Sequence, residues 1–150
     1  MERTLIIFKP DCVQRNLVGT ILQRFENKGL RLVGMKLQHS PKSQVEQHYA
    51  VHKERPFFGE LVGFMTSGPV VIAALEGPSA ITVVRNLLGP TDGKTAPPGT
   101  IRGDFGLDKQ YNLVHASDSP ESATAELSLF FKPEELVSYQ RASDRWVVSG

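Results

Sequence analysis

TLIIF at residues 4–8 and VVIAAL at residues 70–75 decide the fold. Both runs are apolar on both faces, and the first is rich in β-branched residues, so each reads as a buried central strand. Lys9-Pro10-Asp11 ends the first strand. Val18, Ile21, Leu22 and Phe25 then recur at helical spacing, with Gly29 as a stop. From Leu30 to Gln38, Val33, Met35 and Leu37 alternate with Leu32, Gly34 and Lys36, which predicts another strand. Ser40 reads as an N-cap with Pro41 at the first helical position, opening a helix to about His52. Phe57, Leu61, Phe64 and Met65 mark a further helix closed by Ser67-Gly68-Pro69. Pro78-Ser79 begins the next, which carries Ile81, Val84 and Leu88 and stops at Gly89.

The stretch from Gly89 to Tyr111 is rich in glycine and proline and has little periodicity; a loop of that length usually carries function. Leu113-Val114-His115 is a short strand, and Ser119-Pro120 caps a helix to about Phe131. Lys132 to Gly150 forms a short helix and a tail with Trp146. The order β-α-β-(α-α)-β-α-β-α predicts an α/β (α+β) sandwich of the ferredoxin-like split-βαβ type. Its four-stranded antiparallel sheet would lie in a single domain, residues 1–150, that includes the tail 133–150.

A chain of 150 residues is long enough to bury a hydrophobic core. Its net charge of +1 gives no whole-surface pull toward nucleic acid or membrane, so any anion site needs locally gathered cations. The apolar run from Pro69 to Leu75 is far too short to span a bilayer. A single cysteine, Cys12, excludes an intrachain disulfide and suggests a reducing compartment. A strand-like segment begins by Arg3 where a signal peptide would need its apolar region, so a cytoplasmic location is expected.

GPTDGKT, residues 89–95, nearly spells the phosphate loop G-x-x-x-x-G-K-[ST], but Leu88 stands where the first glycine belongs. Ala96-Pro97-Pro98-Gly99 follows, which cannot open the helix whose amides would cradle phosphates, and a helix rather than a strand precedes it. The near-match is an accident of a glycine-rich loop. His48 and His52 have a metal-ligand spacing, yet Tyr49 breaks the H-E-x-x-H pattern, so no protein metal site is expected there.

The informative stretch is YNLVHASDSP, residues 111–120. His115 precedes a capped helix and, with an ordinary pKa near ~6.5, is largely neutral at pH 7 and competent as a nucleophile. In that helix Ala123, Leu127 and Phe130 form the apolar stripe, and Glu126 lies on its flank. There it is placed to hydrogen-bond one imidazole nitrogen and leave the other free. On the residues alone, a packed histidine and a solvated glutamate are the alternative.

KPDCVQR (9–15), HKERPFF (52–58), SGPVV (67–71), PGTIRGDF (98–105) and NLVHASDS (112–119) together resemble nucleoside diphosphate kinase, in order over nearly the whole chain. The resemblance implies a ping-pong enzyme in which a nucleoside triphosphate, typically ATP, gives its γ-phosphoryl group to His115, which passes it to a diphosphate. It implies that Glu126 orients His115, that Tyr49 sits beside it and that Ser117 adjoins the glutamate. It implies that Lys9 reaches the phosphoryl group and the sugar 3′-hydroxyl, that Asn112 meets that hydroxyl, and that Arg85, Thr91 and Arg102 hold the terminal phosphates. Phe57 would stack on the base, a contact indifferent to base identity. Mg²⁺ would ride on the nucleotide phosphates with few or no protein ligands. Arg85 one turn before the stop at Gly89, and Thr91 just after it, make spatial sense of a phosphate site at that helix end.

Five positions depart from the family's usual pattern. Cys12 and Ala116 replace glycines; at Cys12 a positive φ would be strained. Gln110-Tyr111 replaces Gly-Arg, and Lys109 takes an often apolar place near the base. Helices of the expected fold cover one face of the sheet, so the other needs a partner. The resemblance implies a dimer built into a hexamer, favoured by the Trp146 tail, or a tetramer. An RNA-binding domain of this fold would need aromatics on its central strands, and Val70–Leu75 has none, so no specific nucleic-acid partner is expected.

Overall fold

The computed structural model describes all 150 residues, Met1–Gly150. Strands β1 (Glu2–Phe8), β2 (Arg31–Gln38), β3 (Val70–Gly77) and β4 (Val114–Ala116) form one antiparallel sheet in the order β2-β3-β1-β4. Helices α1 (Pro10–Gln14), α2 (Val18–Lys28), α3 (Lys42–His48), α4 (Phe58–Met65), α5 (Ala80–Leu88), α6 (Ile101–Phe105) and α7 (Pro120–Phe130) surround it. The predicted four-stranded antiparallel architecture is the observed one.

Side chains alternate across a strand, so β1 feeds two cores. Ile6 and Phe8 pack with Ile21 and Phe25 of α2 and with Ala80, Val84 and Leu88 of α5. Leu5 and Ile7 pack on the opposite face with Val45 of α3, Val62 and Met65 of α4 and Phe130 of α7. Both faces are therefore covered by the chain's own helices, and the expectation of one bare face is wrong. The double-sided apolar pattern of β1 and β3 reflects two helical layers. Each of these large side chains contributes about 1.5–3 kcal/mol by leaving water.

Other boundaries also differ from the sequence reading. β1 ends at Phe8, just before Lys9-Pro10-Asp11 as expected, but Pro10 also takes the first position of the short helix α1, where its missing N–H costs nothing. Ser40 does not cap α3: Pro41 stands at the cap position, and the buried Ser40 hydroxyl accepts from Gln38 Nε2 at 2.9 Å. That helix ends at His48, and a 3₁₀ turn spans Ala50–His52. The supposed long loop contains α6, capped by Thr100, whose hydroxyl accepts from Gly103 N. Gly29 ends α2 at φ 109°, as its position predicts. The tail contains two 3₁₀ turns, Pro133–Glu135 and Asp144–Trp146. It docks along β2: Val137 N donates to Val33 O at 2.8 Å, beside the register shift between Leu32 and Gly34. Arg141 reaches the carbonyls of Gly29 and Leu30, while Trp146 itself remains exposed.

Candidate active site

His115 lies opposite Ile7 in the β1–β4 ladder. Directly opposed residues of an antiparallel pair share a face, so the imidazole stands on the side of Leu5 and Ile7, under α3 and α7. Val114 and Ala116, its strand neighbours, enter the other core. The ladder thus decides which helices meet the histidine.

From α7, Glu126 extends its carboxylate to three donors. Oε1 accepts from Ser117 Oγ at 2.6 Å, while Oε2 lies 3.0 Å from Nε2 of His115 and 2.9 Å from Nε2 of His48. A carboxylate has no proton to give, so each ring nitrogen is the donor. His115 is thereby held as the Nε2–H tautomer, and Nδ1 keeps its lone pair. Burial lowers the pKa of His115, against the opposing pull of Glu126, and keeps the ring neutral. Burial also raises that of Glu126, but the bonds from His115, His48 and Ser117 outweigh it and hold the acid far below the ordinary carboxylate range. Tyr49 completes the surroundings: its ring lies 4.3 Å from His48 and 6.4 Å from His115, edge-on to the latter. Burial, with the nearby Glu126 charge, pushes its phenol well above its usual value.

Three cations gather around the same strand. Lys9 follows β1 and donates through Nζ to Asn112 Oδ1 at 2.6 Å. Burial first, then Arg102, lowers its pKa to about 8, although Asp11 opposes the shift. Arg102 from α6 is buried; its guanidinium spans the carbonyls of Asn112 (3.2 Å), Gly89 (3.1 Å) and Val114 (2.5 Å). Burial and then Arg85 bring its pKa down to about 10. Of its five N–H groups, roughly two remain for a ligand. Arg85, exposed on α5, donates to Ala116 O at 3.2 Å. Asn112 in turn donates to Thr91 O at 3.0 Å, which ties the 89–111 segment to the lysine.

Phe57, Leu61 and Glu60 form one wall of a cleft of about 610 Å³, and Thr91, Asp108, Lys109 and Gln110 form the other. A half-exposed aromatic ring facing a polar wall suits a flat heterocycle. Of the residues singled out from sequence, His115, Glu126, Ser117 and Tyr49 meet at the imidazole. Lys9, Asn112, Arg102 and Thr91 form a linked chain beside it, Arg85 abuts β4, and Phe57 stands in the cleft. Gly93-Lys94-Thr95 lies outside the group: Lys94 is exposed, and its amide serves a local turn on Asp92.

Two departures from the usual pattern lose their force. Cys12 sits inside α1 with ordinary helical backbone, fully buried, so the strain expected there is absent. Burial pushes its thiol up to about 12. Ala116 lies in extended β4 without positive φ, where a methyl group fits the core. Lys109 and Tyr111 do alter the cleft: Lys109 lines it, and the Tyr111 ring packs 4.9 Å from Phe64.

The roles of two residues escaped the sequence reading. His48 shares the carboxylate with His115 and is only 3% exposed; its position three residues after the buried Val45 was the available signal. His52, its supposed spacing partner, instead packs 5.3 Å from Phe57. Asp11 is the second. Its Oδ2 accepts from Leu113 N at 3.1 Å and braces that residue at φ 79°, just before β4. No local pattern announced that contact.

The family model for nucleoside diphosphate kinase matches residues 2–136. The nucleoside diphosphate kinase of Thermomicrobium roseum is 55% identical over 148 residues, covering 99% of both chains. That of Archaeoglobus fulgidus is 54% identical, covering 98% of this chain and 97% of its own. A solved structure of the halophilic enzyme from Halobacterium salinarum, in complex with CDP, superposes with a TM-score of 0.96 at 46% identity, covering 99% of each chain. A family protein from Babesia bovis gives a TM-score of 0.96 at 50% identity, covering 99% of this chain and 100% of its own. With that agreement of sequence, fold and full length, this chain belongs to the nucleoside diphosphate kinase family and is a nucleoside diphosphate kinase.

Proposed function

We propose that the γ-phosphoryl group of a nucleoside triphosphate moves to Nδ1 of His115 and then to a nucleoside diphosphate, in two half-reactions. The observation that carries this reading is the His115 Nε2–Glu126 Oε2 hydrogen bond of 3.0 Å, which fixes the tautomer and aims the other nitrogen's lone pair. In the first step the Nδ1–P bond forms as the bond to the leaving diphosphate oxygen breaks, and the imidazolium charge that appears is balanced by Glu126. The second step reverses this with a new acceptor. The protein's work is positioning and charge neutralisation. Lys9, Arg85, Arg102 and Thr91 hold phosphate oxygens, Lys9 and Asn112 meet the 3′-hydroxyl, and Phe57 stacks on the base. Tyr49 sits beside the His115 ring, and Ser117 positions Glu126.

The phosphate-facing groups are the N–H donors of Lys9, Arg85 and Arg102 and the hydroxyl of Thr91, and Glu126 is already engaged by two histidines and a serine. Such a set fits Mg²⁺ that arrives on the nucleotide, without protein carboxylates of its own. The ion would supply charge neutralisation across the phosphate oxygens.

The active assembly is a homo-oligomer, with a hexamer favoured over a tetramer, and the protein works in the cytoplasm. What supports self-association is β2, an edge strand on which Met35 and Leu37 are exposed, together with the exposed Trp146 of the 133–150 tail. No helix is long and apolar enough to cross a membrane.

Incubation with γ-labelled ATP and Mg²⁺ but no acceptor tests the mechanism. Acid-labile, base-stable label on His115 is expected, released by any nucleoside diphosphate. Label that survives His115→Ala, or none on the native protein, refutes it.

A further inference from the structure

His48 and His115 aim their Nε2 atoms at one carboxylate oxygen, at 2.9 and 3.0 Å, and the three ligand-type atoms all lie within 4.8 Å of one another. They come from α3, β4 and α7, so the convergence is tertiary. The His115 side chain is 22% exposed and Glu126 14%, and all three residues border a cleft of about 420 Å³ that also includes Asp118 and Ser122. That cleft shares no lining residue with the one walled by Phe57 and Lys109. Two imidazoles and a carboxylate match the donor set of three-ligand protein zinc sites. At metal–ligand bonds of about 2.0–2.1 Å, tetrahedral corners lie roughly 3.3 Å apart, so the two N···O separations open slightly while the two ring nitrogens, which lie within 4.8 Å of each other, close toward that spacing. Mg²⁺, which demands octahedral oxygen, is poorly served by such a set.

We propose that His48, His115 and Glu126 form a binding site for a divalent transition-metal ion of the Zn²⁺ type, and that its occupancy switches phosphoryl transfer off. The inference rests on the reading of His115 as the phosphoryl carrier. In the free protein each neutral ring carries its proton on Nε2. A metal takes the Nε2 lone pair, so that proton leaves to solvent and another is taken up at Nδ1. Each ring stays neutral, two Nε2–metal bonds and one metal–oxygen bond form, and two N–H···O bonds are lost. On His115 the proton now occupies the nitrogen that must attack phosphorus. A phosphoryl group already on Nδ1 leaves Nε2 free to lose its proton, so the block acts on the attack that forms the N–P bond and not on the phosphorylated ring. Metal occupancy therefore blocks the first half-reaction, in which Nδ1 must present its lone pair to phosphorus.

The test titrates nucleotide-free protein with Co²⁺ as a spectroscopic stand-in and measures Zn²⁺ by equilibrium dialysis. One ion per chain with tetrahedral cobalt absorption is expected. Affinity should fall at least ~100-fold in both His48→Asn and His115→Asn and stay unchanged in His39→Asn. In a second arm, protein is loaded with Zn²⁺, freed of excess metal and given labelled Mg-ATP. Label should be suppressed in the native chain but not in His48→Asn, each compared with its own zinc-free control. Binding that survives both substitutions, or full labelling of zinc-saturated native protein, overturns the proposal. If zinc-free native protein takes no label, the carrier reading and the switch both fall, while the cobalt spectrum independently decides the site.

Discussion

Ser117 Oγ lies 2.6 Å from Oε1 of Glu126 and 3.3 Å from the amide nitrogen of Leu5, so one buried hydroxyl links the carboxylate of α7 to the central strand. With Oε1 occupied, Oε2 is the oxygen left for the histidines. Replacing Ser117 with alanine leaves that carboxylate oxygen and the Leu5 amide short of a partner. A stability loss of about 1–3 kcal/mol is expected in chemical denaturation, with a fall in kcat and little change in KM. An unchanged melting curve would show that the hydroxyl is not a structural link.

Glu126→Ala removes the acceptor that fixes the His115 tautomer while touching no group assigned to the nucleotide. Transfer should slow by roughly 10²-fold, and nucleotide affinity, measured calorimetrically, should stay within a few-fold of native. A large loss of affinity would mean that the glutamate meets substrate directly.

Two pKa shifts bound the pH profile. Burial lowers His115, so the acid limb of kcat/KM should lie below 6.5, its ordinary value. Lys9 loses its charge near about 8, where burial places it, so the alkaline limb should appear there and be lost in Lys9→Met. Stability should move the opposite way. Between about 8 and the ordinary 10.5, the unfolded chain binds more protons at Lys9 than the folded one does, so this residue's contribution rises with pH. The stability advantage of Lys9→Met should therefore be greatest below pH 8 and shrink as pH climbs toward 10.5. Parallel pH dependence of the two proteins would contradict the buried ammonium.

The strands and long helices were legible because their signals are local: flush apolar runs in β1 and β3, helical spacing in α2 and α5, and the Ser119-Pro120 cap of α7. Two short helices were not. The five residues of α1 and of α6 are too few to show a period, so Pro10 shows the end of β1 but not the helix that it opens. The unbroken apolar run of β1 reports that both faces are buried but not by what, so the sequence does not distinguish a partner from α3, α4 and α7. At the site, His115 and Glu126 are 11 residues apart and could be paired from sequence. His48 is 78 residues from Glu126, and Asp11 is 102 from Leu113. Contacts at such distances are products of the sheet order and leave no mark on neighbouring residues.

The position of the phosphoryl group on the ring tests the central claim most directly. Phosphoenzyme prepared with labelled ATP, hydrolysed in alkali and resolved against the two phosphohistidine isomers, should yield the Nδ1 isomer, since Glu126 holds Nε2. Recovery of the Nε2 isomer would contradict the account.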